Sequence, residues 1–151
     1  MKAITLYQPY ATLIQVGAKK IETRGWPTTH RGLLAIHSAK RIPNEDLAWL
    51  IGSETGGRIL DALGAAGYYG LDELPLGKIL CTVNLVDCAR SAVEHLPPEP
   101  ERSFGLYCAG RWMWRLADVR TLPEPIPCRG AQRLWTVPPE IEAQLAEVLK
   151  R

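Results

Sequence analysis

From Lys78 to Cys88 the chain alternates without interruption, Ile79, Cys81, Val83 and Leu85 on one side and Leu80, Thr82, Asn84 and Val86 on the other. That period of two predicts a long β-strand. Apolar residues stand on both of its faces, so the strand belongs in the middle of a sheet, covered above and below. Everything else in the chain has to supply its partners and its cover.

Partner strands are readable at Ala3-Ile4-Thr5-Leu6, from about Lys20 to Arg24, at Leu33-Leu34-Ala35-Ile36-His37, from Trp112 to Val119 and at Leu134-Trp135-Thr136-Val137. In the strand at Trp112, residues Trp112, Trp114 and Leu116 alternate with Met113, Arg115 and Ala117, which suits core packing better than an exposed platform. Pro123, Pro125 and Pro127 donate no ladder bonds, so their segment is expected at an edge or as coil. Helices are expected where Pro9 precedes Tyr10, Leu13 and Ile14, with Gly17 as terminator. A second should open at Pro43-Asn44-Glu45-Asp46, bury Leu47, Leu50 and Ile51, and end at Gly52. Others are expected from Ile59 to Ala66 and from Pro138 onward, the last with Ile141, Leu145, Val148 and Leu149 buried. Six strands with inserted helices and no β-α-β rhythm predict an α+β, mainly β fold, a small mixed barrel with flanking helices.

At 151 residues the chain suits one domain that needs no metal or disulfide to hold its core. No run approaches the ~18 apolar residues of a membrane span, and the first residues are too short an apolar run for a signal peptide, so a cytoplasmic location is expected and a membrane partner is not. Cys81, Cys88, Cys108 and Cys128 never form a C-x-x-C pair, and no histidine lies near them at zinc-ligand spacing; reduced thiols are expected, with no metal site and no cofactor.

Formal net charge is only +2, but it is unevenly spread. Residues 1–41 carry Lys2, Lys19, Lys20, Arg24, Arg31, Lys40 and Arg41 against Glu22 alone, residues 42–101 carry three basic and ten acidic residues, and residues 102–151 carry eight basic and five acidic. Such a chain can turn a basic face to a polyanion, or simply segregate its charge among surface loops.

Several short patterns occur in one order: Gln8-Pro9-Tyr10-Ala11, then Gly17-x-Lys19-x-x-Glu22-x-Arg24, Trp26, His30-Arg31-Gly32, Ile36-His37, Leu85-Val86-Asp87-Cys88, Pro127-Cys128-Arg129-Gly130 and Leu134-Trp135. Together they resemble the signature of the ASCH (activating signal cointegrator homology) domain family across nearly the whole chain, residues 1–151. The resemblance implies a PUA-like β-barrel, a cleft beside the first helix lined by the G-x-K-x-x-E-x-R segment, and RNA or single-stranded nucleic acid as partner. One branch of the family resembles a small amidohydrolase acting on N-acylated cytidine nucleosides through a lysine, a threonine and a glutamate. Lys19 matches the lysine, but Glu22 stands where the nucleophilic threonine should be, so that triad does not carry over intact.

The residues themselves give two readings. As a binding surface, Lys19, Lys20, Arg24 and Arg31 offer cations to phosphates, Tyr10 and Trp26 offer flat faces to bases, His30 lies beside Arg31 in a loop, and Glu22 can accept hydrogen bonds from a base edge. Strand alternation puts Lys20, Glu22 and Arg24 on one face with Lys19 at the entrance, and turns Thr23 away. The plainer account pairs Arg24 with Glu22, Asp72 or Glu73 and makes Trp26 a barrel cap. As an enzyme, the chain would be a small hydrolase, an amidohydrolase on a modified nucleoside or a ribonuclease, with Lys19 supplying charge and Glu22 the general base. A barrel that recognises a protein partner is the third reading. His37, on an apolar strand, is expected to be a hydrogen-bonded structural residue.

Overall fold

The computed structural model describes residues 1–151. Its elements are β1 (Lys2–Leu6), α1 (Tyr10–Gln15), β2 (Ile21–Arg24), β3 (Gly32–Ser38), α2 (Asn44–Gly52), α3 (Glu54–Ala65), β4 (Lys78–Arg90), β5 (Trp112–Pro127), β6 (Leu134–Thr136) and α4 (Pro139–Leu149), with single 3-10 turns at Leu71–Glu73, Val93–His95 and Glu101–Phe104. The six strands form one sheet in the order β2-β5-β4-β3-β1-β6. Only β1 and β3 run parallel, whereas the remaining pairs are antiparallel. β4 occupies the centre, as its two apolar faces require. The sheet curls but does not close, because β2 and β6 each stand at an edge; the expected barrel is a half-barrel.

Alternation distributes the core over both faces. Ile4, Leu6, Leu34, Ile36, Val83, Leu85, Trp114 and Leu116 pack with Ala11 and Ile14 of α1 inside the curl. Ala3, Ala35, Leu122 and Trp135 pack on the other side, against Leu145 of α4. A third cluster, Leu13, Leu50, Ile59, Leu63, Leu74 and Phe104, lies beneath α2 and α3. Ile79 departs from the expected pattern, joining Ala3 and Ala35 rather than Cys81 and Val83, while Leu80 joins the inner group. The register against both neighbours shifts between Ile79 and Cys81, and one irregular residue inverts the parity of all that precede it.

β5 runs further than expected, through the prolines. Between the pairs Cys81↔Thr121 and Ile79↔Ile126 it bulges away from β4, and Pro123 and Pro125 fall inside that bulge. β2 pairs only with Trp112–Arg115, so the proline-bearing half of β5 is an edge, where missing donors cost nothing. α3 starts earlier than its apolar pattern suggested, because the Ser53 hydroxyl accepts the Gly56 N–H at 2.9 Å and caps it. In α2, Leu50 is buried but Ile51 is 73% exposed, so Ile51 is not part of the stripe. α1 is closed at its start by Gln8, whose amide accepts the Thr12 N–H and donates to the Thr12 hydroxyl and the Pro75 carbonyl. Gly17 ends it with φ +82°, the left-handed conformation glycine adopts most easily. His37 is buried, its ring bonded to the Thr5 hydroxyl and the Cys128 carbonyl and edge-on to Trp135.

Candidate functional site

Side chains close the free edge of β2. Its outward backbone groups belong to Ile21 and Thr23. The Ile21 N–H donates to Glu101 at 2.6 Å and the Ile21 carbonyl accepts from Lys19 Nζ at 2.6 Å. The Thr23 N–H donates to Glu22 Oε1 and the Thr23 carbonyl accepts from Arg111 at 3.0 Å. An edge so satisfied offers nothing to a further strand, and the space where a barrel would close stays open as a cleft.

That cleft is a cavity of about 710 Å³, reached by Thr5, Leu6 and Tyr7 from β1 and the turn after it, Tyr10 from α1, Glu22, Thr23 and Arg24 from β2, Trp26, Trp49 from α2, Ser103–Leu106, Arg111 and Ala131–Arg133. Its charge is three arginines, Arg24, Arg111 and Arg133, against the single carboxylate of Glu22. Glu22 lies between cations: Oε1 is 3.5 Å from Lys19 Nζ and Oε2 is 3.2 Å from Arg24. Arg24 also donates to the Thr5 carbonyl at 3.0 Å. Trp26 meets Trp114 edge to face at 4.8 Å and carries the Arg133 guanidinium over its ring at 4.2 Å. Arg133 holds φ +61°, a conformation that costs a side-chain-bearing residue and persists only where surrounding structure enforces it.

Four of the residues singled out from the sequence therefore meet in the cavity lining: Tyr10, Glu22, Arg24 and Trp26. Lys19 is not at the entrance. Its side chain is fully buried behind Glu22, its ammonium bonded to the carbonyls of Ile21 and Phe104 at 2.6 Å each. Burial pushes that ammonium down from the ordinary lysine value, opposed by Glu22 and Glu101. Lys20 precedes β2 instead of belonging to it, is exposed, and lies at a second cavity of about 280 Å³ beside Gly17 and Asp118. His30 and Arg31 stand apart from the cleft lining; the His30 ring bonds the Leu33 carbonyl, and Arg31 donates to the carbonyls of Thr28 and His30. Their loop folds on itself, with Arg31 Nη1 spent on those carbonyls and Nη2 4.0 Å from Asp87 of β4. Thr23, expected to face away, reaches the cavity lining, with its hydroxyl accepting the Leu106 N–H.

Sequence reasoning missed Arg111 and Arg133, which arrive from far along the chain, and Tyr7 and Trp49. Trp49 carried a usable signal: it lies off the Leu47–Leu50 stripe of its own helix, and an aromatic outside the buried stripe faces something else. Tyr10 is partly covered, with Lys19 Nζ 5.7 Å from its ring centre, and burial, with Asp46 and Glu22 nearby, raises its phenol above the ordinary value.

The model of the ASCH domain matches residues 4–125. Activating signal cointegrator 1 of Mus musculus is 26% identical over an alignment of 144 residues that covers 91% of this chain and 22% of that protein's length, so the chain spans about a fifth of that relative. Among solved structures, a point mutant of ASCH from Zymomonas mobilis superposes with TM-score 0.60 at 15% identity, covering 97% of this chain and 96% of the other. Another crystal structure of ASCH from Zymomonas mobilis gives 0.57 at 14% identity, covering 97% and 94%.

Proposed function

We propose that this chain, which belongs to the ASCH domain family, binds RNA or another single-stranded nucleic acid in the cleft between β2, the turn after β1 and the loop before β6. The observation that carries the reading is that Arg24, Arg111 and Arg133 line, with Trp26, one cavity whose sole carboxylate is held between Lys19 and Arg24. Arginines on a groove supply the phosphate attraction, and a tryptophan backed by an arginine plane supplies a surface for an unstacked base. Glu22 would repel phosphate if free; between two cations it is neutralised and remains an acceptor for an amino group on a base edge. The family's PUA-like fold points the same way by analogy.

The test is titration of a labelled single-stranded oligonucleotide into wild type and Arg133→Ala. Arg133 is the informative site because Lys19, being buried, would report folding. Affinity should fall in the variant and its salt dependence should become shallower by about one. A wild-type chain that binds no oligonucleotide, or an Arg133→Ala variant that binds equally well, refutes the proposal.

A second reading, hydrolysis of an N-acylated nucleoside or of RNA, draws on the 3.5 Å approach of Lys19 Nζ to Glu22 at the cavity wall. Lys19 has its protons committed to two carbonyls and Glu22, so it would act as a fixed positive charge, and Glu22 would accept the proton of an attacking water. Turnover that survives Glu22→Gln overturns it.

A further inference from the structure

We infer that the cleft holds a strand rather than a free nucleoside, its phosphates along Arg111 and Arg133, one base at Trp26 and a second against Trp49. This rests on the nucleic-acid reading above and adds which groups take the phosphates and which take the bases. Trp49 belongs to α2, whose Leu50 is buried in the core beneath α2 and α3. Trp49 joins none of the three core clusters; it is 42% exposed and reaches the cleft. Tyr7, 48% exposed, does the same from the turn after β1. Burial in a core explains neither ring, and two half-exposed aromatics on the rim of a basic cleft are what base stacking requires.

Charge sets the orientation. α2 carries Glu45 and Asp46 in its first turn and no basic residue in its last. Asp46, three residues before Trp49 and hence on the same side of the helix, acts electrostatically on Tyr10 inside the cleft. An aromatic wall with acidic neighbours repels phosphate and accepts the uncharged faces of bases. Arg24, Arg111 and Arg133, brought to the same cavity by other segments, do the reverse. Trp26, beneath Arg133, and Trp49, on α2, line the same cavity from different elements, and a strand that occupies both does so with two bases joined through phosphate.

The experiment titrates a fluorescently labelled oligouridylate of about 12 nucleotides into wild type, Trp49→Ala, Trp49→Phe and Arg133→Ala over a range of salt. Trp49→Ala should bind about tenfold more weakly with an unchanged salt slope, Trp49→Phe should recover most of the affinity, and Arg133→Ala should lower the slope by about one. Each variant's thermal melt checks that it is folded. Binding by Trp49→Ala that equals wild type, a changed salt slope in that variant, or no recovery in Trp49→Phe overturns the orientation while leaving an Arg133-dependent interaction standing. A wild-type chain that binds no oligonucleotide overturns the nucleic-acid reading, and this orientation falls with it.

Discussion

Replacing Lys19 by methionine removes a buried charge while roughly keeping its volume, and the structure sets the expected cost. The ammonium satisfies the carbonyls of Ile21 and Phe104 at 2.6 Å each. Without it both are left buried and unpaired, at about 1–3 kcal/mol apiece. Glu22 loses one of its two cations but keeps Arg24 at 3.2 Å, so the carboxylate is not stranded. Relief of repulsion between Lys19 and Arg24, and burial of an apolar thioether, offset part of the loss. The net expectation is a destabilisation of about 3–5 kcal/mol, the range for breaking a buried pair by removing one partner. For a chain of this size that lowers Tm by about 10 °C. Urea unfolding followed by tryptophan fluorescence reads it directly, since Trp26 and Trp114 are in contact in the folded state. Lys20→Met, one residue along and exposed, should stay within about 0.5 kcal/mol of wild type. A Lys19→Met variant as stable as Lys20→Met would refute the claim that the ammonium holds β2 to Phe104.

Two further perturbations test the packing and the edge. At Gly56 an added Cβ would come within 2.3 Å of the Leu50 carbonyl oxygen, whereas at Gly57 it would meet nothing within 4 Å; Gly56→Ala should lose about 1–3 kcal/mol by overpacking, while Gly57→Ala, in the same helix, should gain about 0.5–1 kcal/mol, and equal effects in chemical denaturation would contradict the close approach of α3 to α2. Burial raises the Glu101 carboxyl above its ordinary value, against the pull of the Lys20 and Ile21 N–H groups and of Lys19 and Lys20. A carboxyl that holds its proton more tightly when folded contributes stability below its unfolded value and loses it as pH rises through the folded one. Glu101→Gln should therefore gain on wild type as pH rises above the ordinary glutamate value of about 4, and a gap in urea midpoints that stays constant from there to neutral pH would refute it.

The sheet was legible because period-two patterning survives without tertiary information: all six strands fall on the segments read as strands, β5 running on past its expected end, and β4 is central because both its faces are apolar. What escaped was set by contacts distant in sequence. The register shift at Leu80 depends on how β3 and β5 dock on β4, and no local pattern encodes it. Failure to close depends on how side chains finish the edge of β2. In the cleft, Tyr10, Glu22, Arg24 and Trp26 meet because they lie within one short stretch, and their charges and flat rings are readable there without tertiary information. Arg111 and Arg133 share no local pattern with that stretch and reach it only through the folding of β5 and β6. Lys19 misled for another reason: a lysine is ordinarily a surface residue, and nothing in its immediate neighbours shows that two carbonyls and a carboxylate await it.

Those misplacements bear on what the G-x-K-x-x-E-x-R pattern does. Its lysine and glutamate take up the Ile21 carbonyl and the Thr23 N–H, the groups that a closing strand would otherwise bind. The same glutamate, with the arginine two residues on, then walls the cavity left open by that closure. One constellation thus ends the sheet and creates the cleft, and its members cannot be assigned wholly to stability or wholly to recognition. Substituting Lys19 disturbs the edge first and the ligand second. Arg133 and Trp49 hold no outward group of β2, so a change in affinity at those positions reports the ligand itself. Recognition in this cleft is therefore separable from closure of the sheet edge at two residues that lie outside the pattern, Arg133 and Trp49.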